Sequence, residues 1–306
     1  MDTRAATTST PGSRWVDHVD ALRPTVLVLG GFTTSPPVYR PFVRRLLARD
    51  AAAVVVANVW TPDWALAAWH GIGTILRRSG RGLLRASELS AATPASMGAP
   101  VLVVGHSAGG IMGRLLTSPR PFGSLRLNGS GRVGALVTLG TPHRIARTGA
   151  FRQHIAHDAA TFATLAVPGT MFAPTTGYLA VASRAVVGSR DAGGALRTTW
   201  QLYRVIDSGP EEAVERPQTI AGDGLVPVGA AVPPGWPSIV LDTALHGPGA
   251  RTPWYGAEPE IDRWWPAAVE TWRAALWARV ERAADARARD PDGLERRRFD
   301  AAWIRG

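Results

Sequence analysis

Ten residues constrain the fold of this chain more than any others: Val101-Leu102-Val103-Val104-Gly105-His106-Ser107-Ala108-Gly109-Gly110. An aliphatic run stops at a Gly-x-Ser-x-Gly turn and helix-compatible residues follow, so a buried strand must reverse sharply into a helix. Glycine at 105 and 109 lets strand and helix approach where a side chain would collide. The five-residue pattern arises by chance in glycine-rich chains, and this one has 33 glycines. Its weight comes from the strand pattern before it and the helix pattern after it.

The rest of the chain supplies a sheet for that turn. Apolar runs at 25–29, 52–60, 101–105, 133–139, 178–182 and 238–241 are continuous rather than alternating, which marks strands buried on both faces. Helical patterns separate them, at 39–48, at 64–84 and in a closing segment at 259–284 that carries Trp264, Trp265, Trp272 and Trp277. The order predicts an α/β fold with a mostly parallel central sheet of about six strands and helices on both faces. With 306 residues, of which 45% are hydrophobic, one large core is enough. We expect a polar tail over 1–22, a single domain over 23–284 and a charged tail over 285–306.

One apolar stretch falls outside the strand and helix rhythm. Residues 148–176, with Phe151, Phe162, Leu165, Val167, Met171 and Phe172, follow the fourth strand and would stand above the carboxyl ends of the sheet. They are expected to form a small cap insertion, with Phe162 and Phe172 lining a pocket beneath it. Trp60, Trp64 and Trp69 are candidates for the same mouth.

Composition excludes several function classes. The chain has no cysteine, hence no disulfide, thiolate metal site or cysteine nucleophile. The net charge of +10 comes from arginine alone, since lysine is absent. These arginines are dispersed among Ala, Gly and Pro, so no nucleic-acid partner is expected. No window of 18 uninterrupted apolar residues would span a bilayer. Residues 1–22 carry Asp2, Asp17 and Asp20 and no apolar core, so no secretory leader is read there and a cytoplasmic location is expected. Oligomeric state is left open.

A serine on such a turn is inert unless a base, an orienting acid and an anion site accompany it. The candidate set is Ser107, Asp223 in Gly222-Asp223-Gly224-Leu225-Val226-Pro227, and His246 in Leu245-His246-Gly247-Pro248. Asp223 has a simpler reading as a turn residue, because Asp-Gly is a strong turn signal. Asp242 and Asp207 are rival acids. Of the other histidines, His106 lies inside the turn with its ring expected to point away from the reacting face, and His143 is a candidate hydrogen-bonding neighbour. His154 and His157 beside Asp158 have metal-compatible spacing without further ligands, so no metal is assigned.

Taken with Gly30-Gly31-Phe32, Leu139-Gly140-Thr141-Pro142-His143, the GDGLVP loop and the late LHGPG, these motifs resemble the lipase and esterase branch of the α/β-hydrolases over roughly 23–280. The Trp254-Tyr255-Gly256 and Asp262-Arg263-Trp264-Trp265 segments resemble a group of lipase-like bacterial and plant hydrolases. The resemblance implies a cofactor-independent esterase. Ser107 would be the nucleophile, His246 the base and then the acid, and Asp223 the residue orienting the imidazole. Backbone amides of Ala108 and Phe32 would form the oxyanion hole. Many lipases carry His-Gly where this chain has Gly30-Gly31, which implies that the hydrogen bond bracing that loop is missing. The expected partner is a small-molecule or lipid ester, with peripheral contact at a lipid interface. The same triad serves thioesterases, amidases and acyltransferases, and the fold also hosts ligand-binding proteins without turnover.

Overall fold

The computed structural model describes residues 15–145, 151–207, 217–248 and 253–289. In chain order the elements are β1 (Thr25–Leu29), α1 (Arg40–Ala48), β2 (Ala53–Val56), α2 (Thr61–His70), α3 (Gly73–Ala92), β3 (Val101–His106), α4 (Ala108–Thr117) and β4 (Val133–Leu139). There follow α5 (Phe151–Ala166), β5 (Gly177–Ser183), β6 (Val186–Ser189), α6 (Gly194–Asp207), β7 (Thr219–Gly222), α7 (Val228–Ala231), β8 (Ser238–Leu241) and α8 (Glu260–Arg289). Six strands form one parallel sheet in the order β2-β1-β3-β4-β5-β8, and β6 and β7 pair antiparallel beside it. Among the described residues no helix is long and apolar enough to cross a membrane.

The continuous apolar runs reflect a sheet with two dry faces. On one face Val26, Val28, Leu102, Val104, Ala135 and Val137 pack with Phe42, Leu46, Trp264 and Trp272 of α1 and α8. The intervening residues Leu27, Leu29, Val101, Val103 and Leu136 meet Ile75, Leu83, Ile111 and Leu115 of α3 and α4 on the other. Period-two alternation is therefore present in the direction of the side chains and invisible in their polarity.

Several boundaries differ from the sequence reading. The run at 52–60 yields only the four residues of β2, because its single neighbour β1 ends at Leu29 and the register closes at Val28 with Val56. The helical stretch at 64–84 is two helices, divided where Gly71 takes φ 70° and closes α2 on the Ala67 carbonyl. Part of the expected polar tail is folded: Trp15, Val19 and Leu22 are buried in the α1/α8 cluster. Trp277 Nε1 donates to Asp20, and Arg273 to the Leu22 carbonyl. At the other end α8 continues past residue 284 to Arg289. The ribbon β6/β7 and helix α6 have no counterpart in the sequence reading.

The described part of 148–176 is a crossover rather than a stand-off cap. α5 carries the chain from β4 to β5, and Ala159, Ala160 and Ala163 are buried in the same cluster as α3 and α4. Arg114 of α4 binds Thr164 and the Val167 carbonyl, tying the end of α5 down. Phe162 packs edge-on against Phe122, with centroids 5.0 Å apart. Phe122 lies beyond Thr117, at the opposite end of α4 from Ser107. The Phe172 amide donates to Tyr178 Oη in the segment entering β5, so neither ring lines a pocket over the serine.

Candidate active site

The strand order places β1 and β3 side by side while β2 lies outside them, and this reversal opens a crevice beyond the carboxyl ends of β1 and β3. Both ends carry candidate residues. β3 ends at His106 and α4 begins at Ala108, so Ser107 alone makes the reversal, at φ 53° and ψ −127°. That conformation is strained for a residue with a side chain and persists because its surroundings hold it. Ser107 N–H donates to the Leu139 carbonyl at 2.9 Å, and Gly110 N–H to the Ser107 carbonyl at 3.0 Å. The fit is close: a Cβ on Gly109 would lie 2.1 Å from the Leu29 carbonyl oxygen.

The three candidate side chains come together in a line. Ser107 Oγ lies 2.9 Å from His246 Nε2, and His246 Nδ1 lies 2.8 Å from Asp223 Oδ2. His246 follows the edge strand β8, and its N–H donates to the Asp223 carbonyl at 2.9 Å, which locks the two loops together. Asp223 follows β7 in a turn closed by its own N–H on the Val226 carbonyl. The rival Asp242 is exposed and paired with Arg184 at 2.6 Å, not with His246. Asp207 ends α6 and its side chain is not among those described.

Asp223 is fully engaged. Oδ1 accepts the amides of Leu225 at 3.0 Å and Val226 at 2.7 Å, while Oδ2 accepts His246 Nδ1 and the Tyr255 hydroxyl at 2.8 Å. Burial alone would raise the carboxyl pKa, but the hydrogen bond and charge of His246 together with the two amides outweigh it and hold the group below its ordinary value. Tyr255 moves the opposite way: burial and the adjacent Asp223 charge raise it well above a normal phenol, so it stays a donor. Gly140, at φ 54°, leaves room for this packing, since a Cβ there would lie 2.6 Å from Asp223 Oδ2.

The loop after β1 and the turn after β3 meet beside Ser107. A Cβ on Gly31 would lie 3.0 Å from Ser107 Cβ, so the Gly30-Gly31-Phe32 loop runs directly against the serine. Ala108 is the first residue of α4, and its amide is one of the unpaired donors at a helix N-terminus. Among the described residues the Phe32 amide has no hydrogen-bond acceptor either. The expected absence of a brace on this loop is corrected: Tyr39 Oη accepts the Gly31 amide at 2.8 Å.

His143 and His157 have structural partners. His143 is buried against Thr138 and Arg114, and burial followed by the Arg114 charge pushes its pKa well down. His157 binds the Ile145 carbonyl, and the side chain of His154 lies outside the described residues. The expectation that His106 points away from the site needs revision, because its ring packs 5.2 Å from that of His246.

No family model and no curated protein matches the chain. Among solved structures it is similar to the mature form of a Bacillus licheniformis lipase, with 12% identity over 82% of this chain and 92% of that one, at a TM-score of 0.51. The chain has the α/β-hydrolase fold. Esterase 2 of Thermogutta terrifontis, phosphoramylated by tabun, aligns at 11% identity over 86% of this chain and 83% of that one, with a TM-score of 0.40. Ser107 follows β3, and Asp223 and His246 stand in the loops after β7 and β8. Tyr255 and Tyr39 are the residues that reading the sequence missed. Tyr255 stood within the Trp-Tyr-Gly segment noted above, which gave no sign of its contact with Asp223.

Proposed function

We propose that the chain is a cofactor-independent serine hydrolase that cleaves carboxylic esters through Ser107, His246 and Asp223. The observation that carries this reading is the unbroken hydrogen-bonded line from Ser107 Oγ through both nitrogens of His246 to Asp223. Because Asp223 is ionised it accepts at Nδ1–H, which leaves Nε2 bare to take the serine proton. Ser107 Oγ attacks the ester carbonyl as its proton passes to His246 Nε2. The oxyanion is held by the amides of Phe32 and Ala108. Collapse breaks the bond to the alcohol oxygen, which leaves with the proton from His246. Water then repeats the cycle on the acyl-enzyme, releasing the carboxylic acid and Ser107.

A hydrophobic substrate is supported by the site's rim. Phe32 is 47% exposed and packs edge-on against Trp64, and Leu225 beside Asp223 is also exposed. Labelling by a fluorophosphonate tests the nucleophile, and a p-nitrophenyl ester series of increasing acyl length tests the substrate class. Ser107→Ala is expected to abolish labelling and lower kcat on the order of 10³-fold or more. A variant that retained a tenth of wild-type turnover would refute the assignment.

A further inference from the structure

Resting on that reading, we propose that Tyr39 and His106 are positioning residues that join the oxyanion loop to the base through one polarised relay of hydrogen bonds. The two ends dictate its direction. The Gly31 amide can only donate and reaches Tyr39 Oη at 2.8 Å; the His246 carbonyl can only accept and faces His106 Nε2 at 2.8 Å. Nε2 of His106 therefore carries a proton. Tyr39 Oη lies 2.8 Å from His106 Nδ1, and for a neutral ring the phenol must donate there. Burial first, and then the neighbouring His246, hold the His106 pKa down to about 3, so the ring is neutral. Thr34 Oγ1 also lies 3.2 Å from Tyr39 Oη, but His106 Nδ1 is nearer and, on a neutral ring, a bare acceptor, so the order is Gly31 N–H to Tyr39, Tyr39 O–H to His106, His106 N–H to His246.

Each end of the relay fixes a group that the reaction needs. Turning the Gly31 amide inward onto Tyr39 removes it as a competing donor and sets the plane of the following peptides, where the free Phe32 amide lies. Thr34 reinforces the loop by donating to the Gly31 carbonyl at 2.7 Å. At the other end, the His246 main chain is held on both sides, with its N–H on the Asp223 carbonyl and its carbonyl on His106. His106 also directly precedes Ser107. One buried imidazole thus refers nucleophile, base and oxyanion loop to a common anchor, although His106 and His246 stand 140 residues apart.

The test combines kinetics with a spectrum. Tyr39→Phe keeps the ring packed against Trp254 and His106 and removes only the hydroxyl. It is expected to lower kcat about 10²-fold, the size of a lost oxyanion donor, with KM shifted less than about threefold. The inhibition constant of a boronic acid, whose tetrahedral adduct places an oxygen in the hole, should rise by the same factor. His106→Leu should match this loss, and the double variant should be no worse than the worse single, as for members of one unit. His106→Gln, able to donate and accept at similar positions, should recover most of the rate. A Tyr39→Phe kcat within about twofold of wild type, a loss confined to KM, or losses that multiply would overturn the proposal. Independently of turnover, ¹⁵N spectra of His106 should show a proton on Nε2 and none on Nδ1; the reverse tautomer would overturn the relay even in an active enzyme. Failure of the wild-type chain to hydrolyse any ester or to react with fluorophosphonate would instead count against the esterase reading, and the spectrum still judges the relay.

Discussion

Four donors converge on the Asp223 carboxylate, and this arrangement separates the roles of neighbouring residues. An amide in its place would present N–H groups toward donors and could no longer hold Nδ1–H of His246, so Asp223→Asn is expected to lower kcat by about 10³ to 10⁴-fold with KM little changed. Asp242→Asn should leave kcat within about twofold, because an exposed pair such as Arg184–Asp242 contributes at most about 1 kcal/mol. Steady-state kinetics on the two variants decide between them, and the opposite ranking would reassign the acid. Tyr255→Phe removes one charge-assisted hydrogen bond while leaving the carboxylate in place, so a loss in kcat of about tenfold is expected. Ser107, Asp223 and His246 were legible because sequence motifs mark them. Tyr255 and Tyr39 were not, because a tyrosine acquires its role only when the fold brings it to Asp223, 32 residues away, or to His106, 67 residues away.

Among the elements, those with two buried faces were the readable ones. The runs at 25–29 and 133–139 coincide with β1 and β4, since a strand inside the sheet leaves little freedom for its ends. Edge and connecting pieces were less readable: β2 stops where its partner stops, and a single glycine conformation splits α2 from α3. The described part of 148–176 departs from the expected cap because apolar residues in a crossover helix and in a cap look alike until their neighbours are known. α5 as a crossover makes a measurable difference. Phe162→Ala should destabilise the fold by about 2 kcal/mol, less than for a fully buried ring, and leave the acyl-length preference unchanged. Chemical denaturation together with the ester series checks both halves, and a shifted length preference with unchanged stability would restore the cap. Leu22→Ala, in the segment expected to be a tail, should cost about 2–5 kcal/mol because that side chain is buried under α8.

For the molecule as a whole, buried histidines give folding a pH dependence of definite sign. His106, held down to about 3, and His143, also depressed, stay neutral in the folded chain while the unfolded chain protonates them below the ordinary histidine value. Their effect on stability is absent at neutral pH and grows as pH falls through about 6.5, with a limiting slope of about 1.4 kcal/mol per pH unit for each group. Asp223 acts at lower pH: its folded pKa is depressed, so its contribution is complete above the unfolded carboxylate value and is lost as pH falls through the folded one. Urea midpoints measured from pH 7 to pH 4 should therefore decline steadily; a flat profile would mean that the histidines are charged in the folded state.

The order of the strands also divides the site between a rigid centre and a looser margin. Ser107 hangs from β3, whose six residues are all buried, whereas His246 follows the edge strand β8 and Asp223 the ribbon β6/β7, both of which expose residues to water. Margins fray before centres. On warming, the acid and base should come adrift while the serine still stands on an intact sheet. Turnover would then fail several degrees before ellipticity reports any melting, and cooling from that interval would restore it in full.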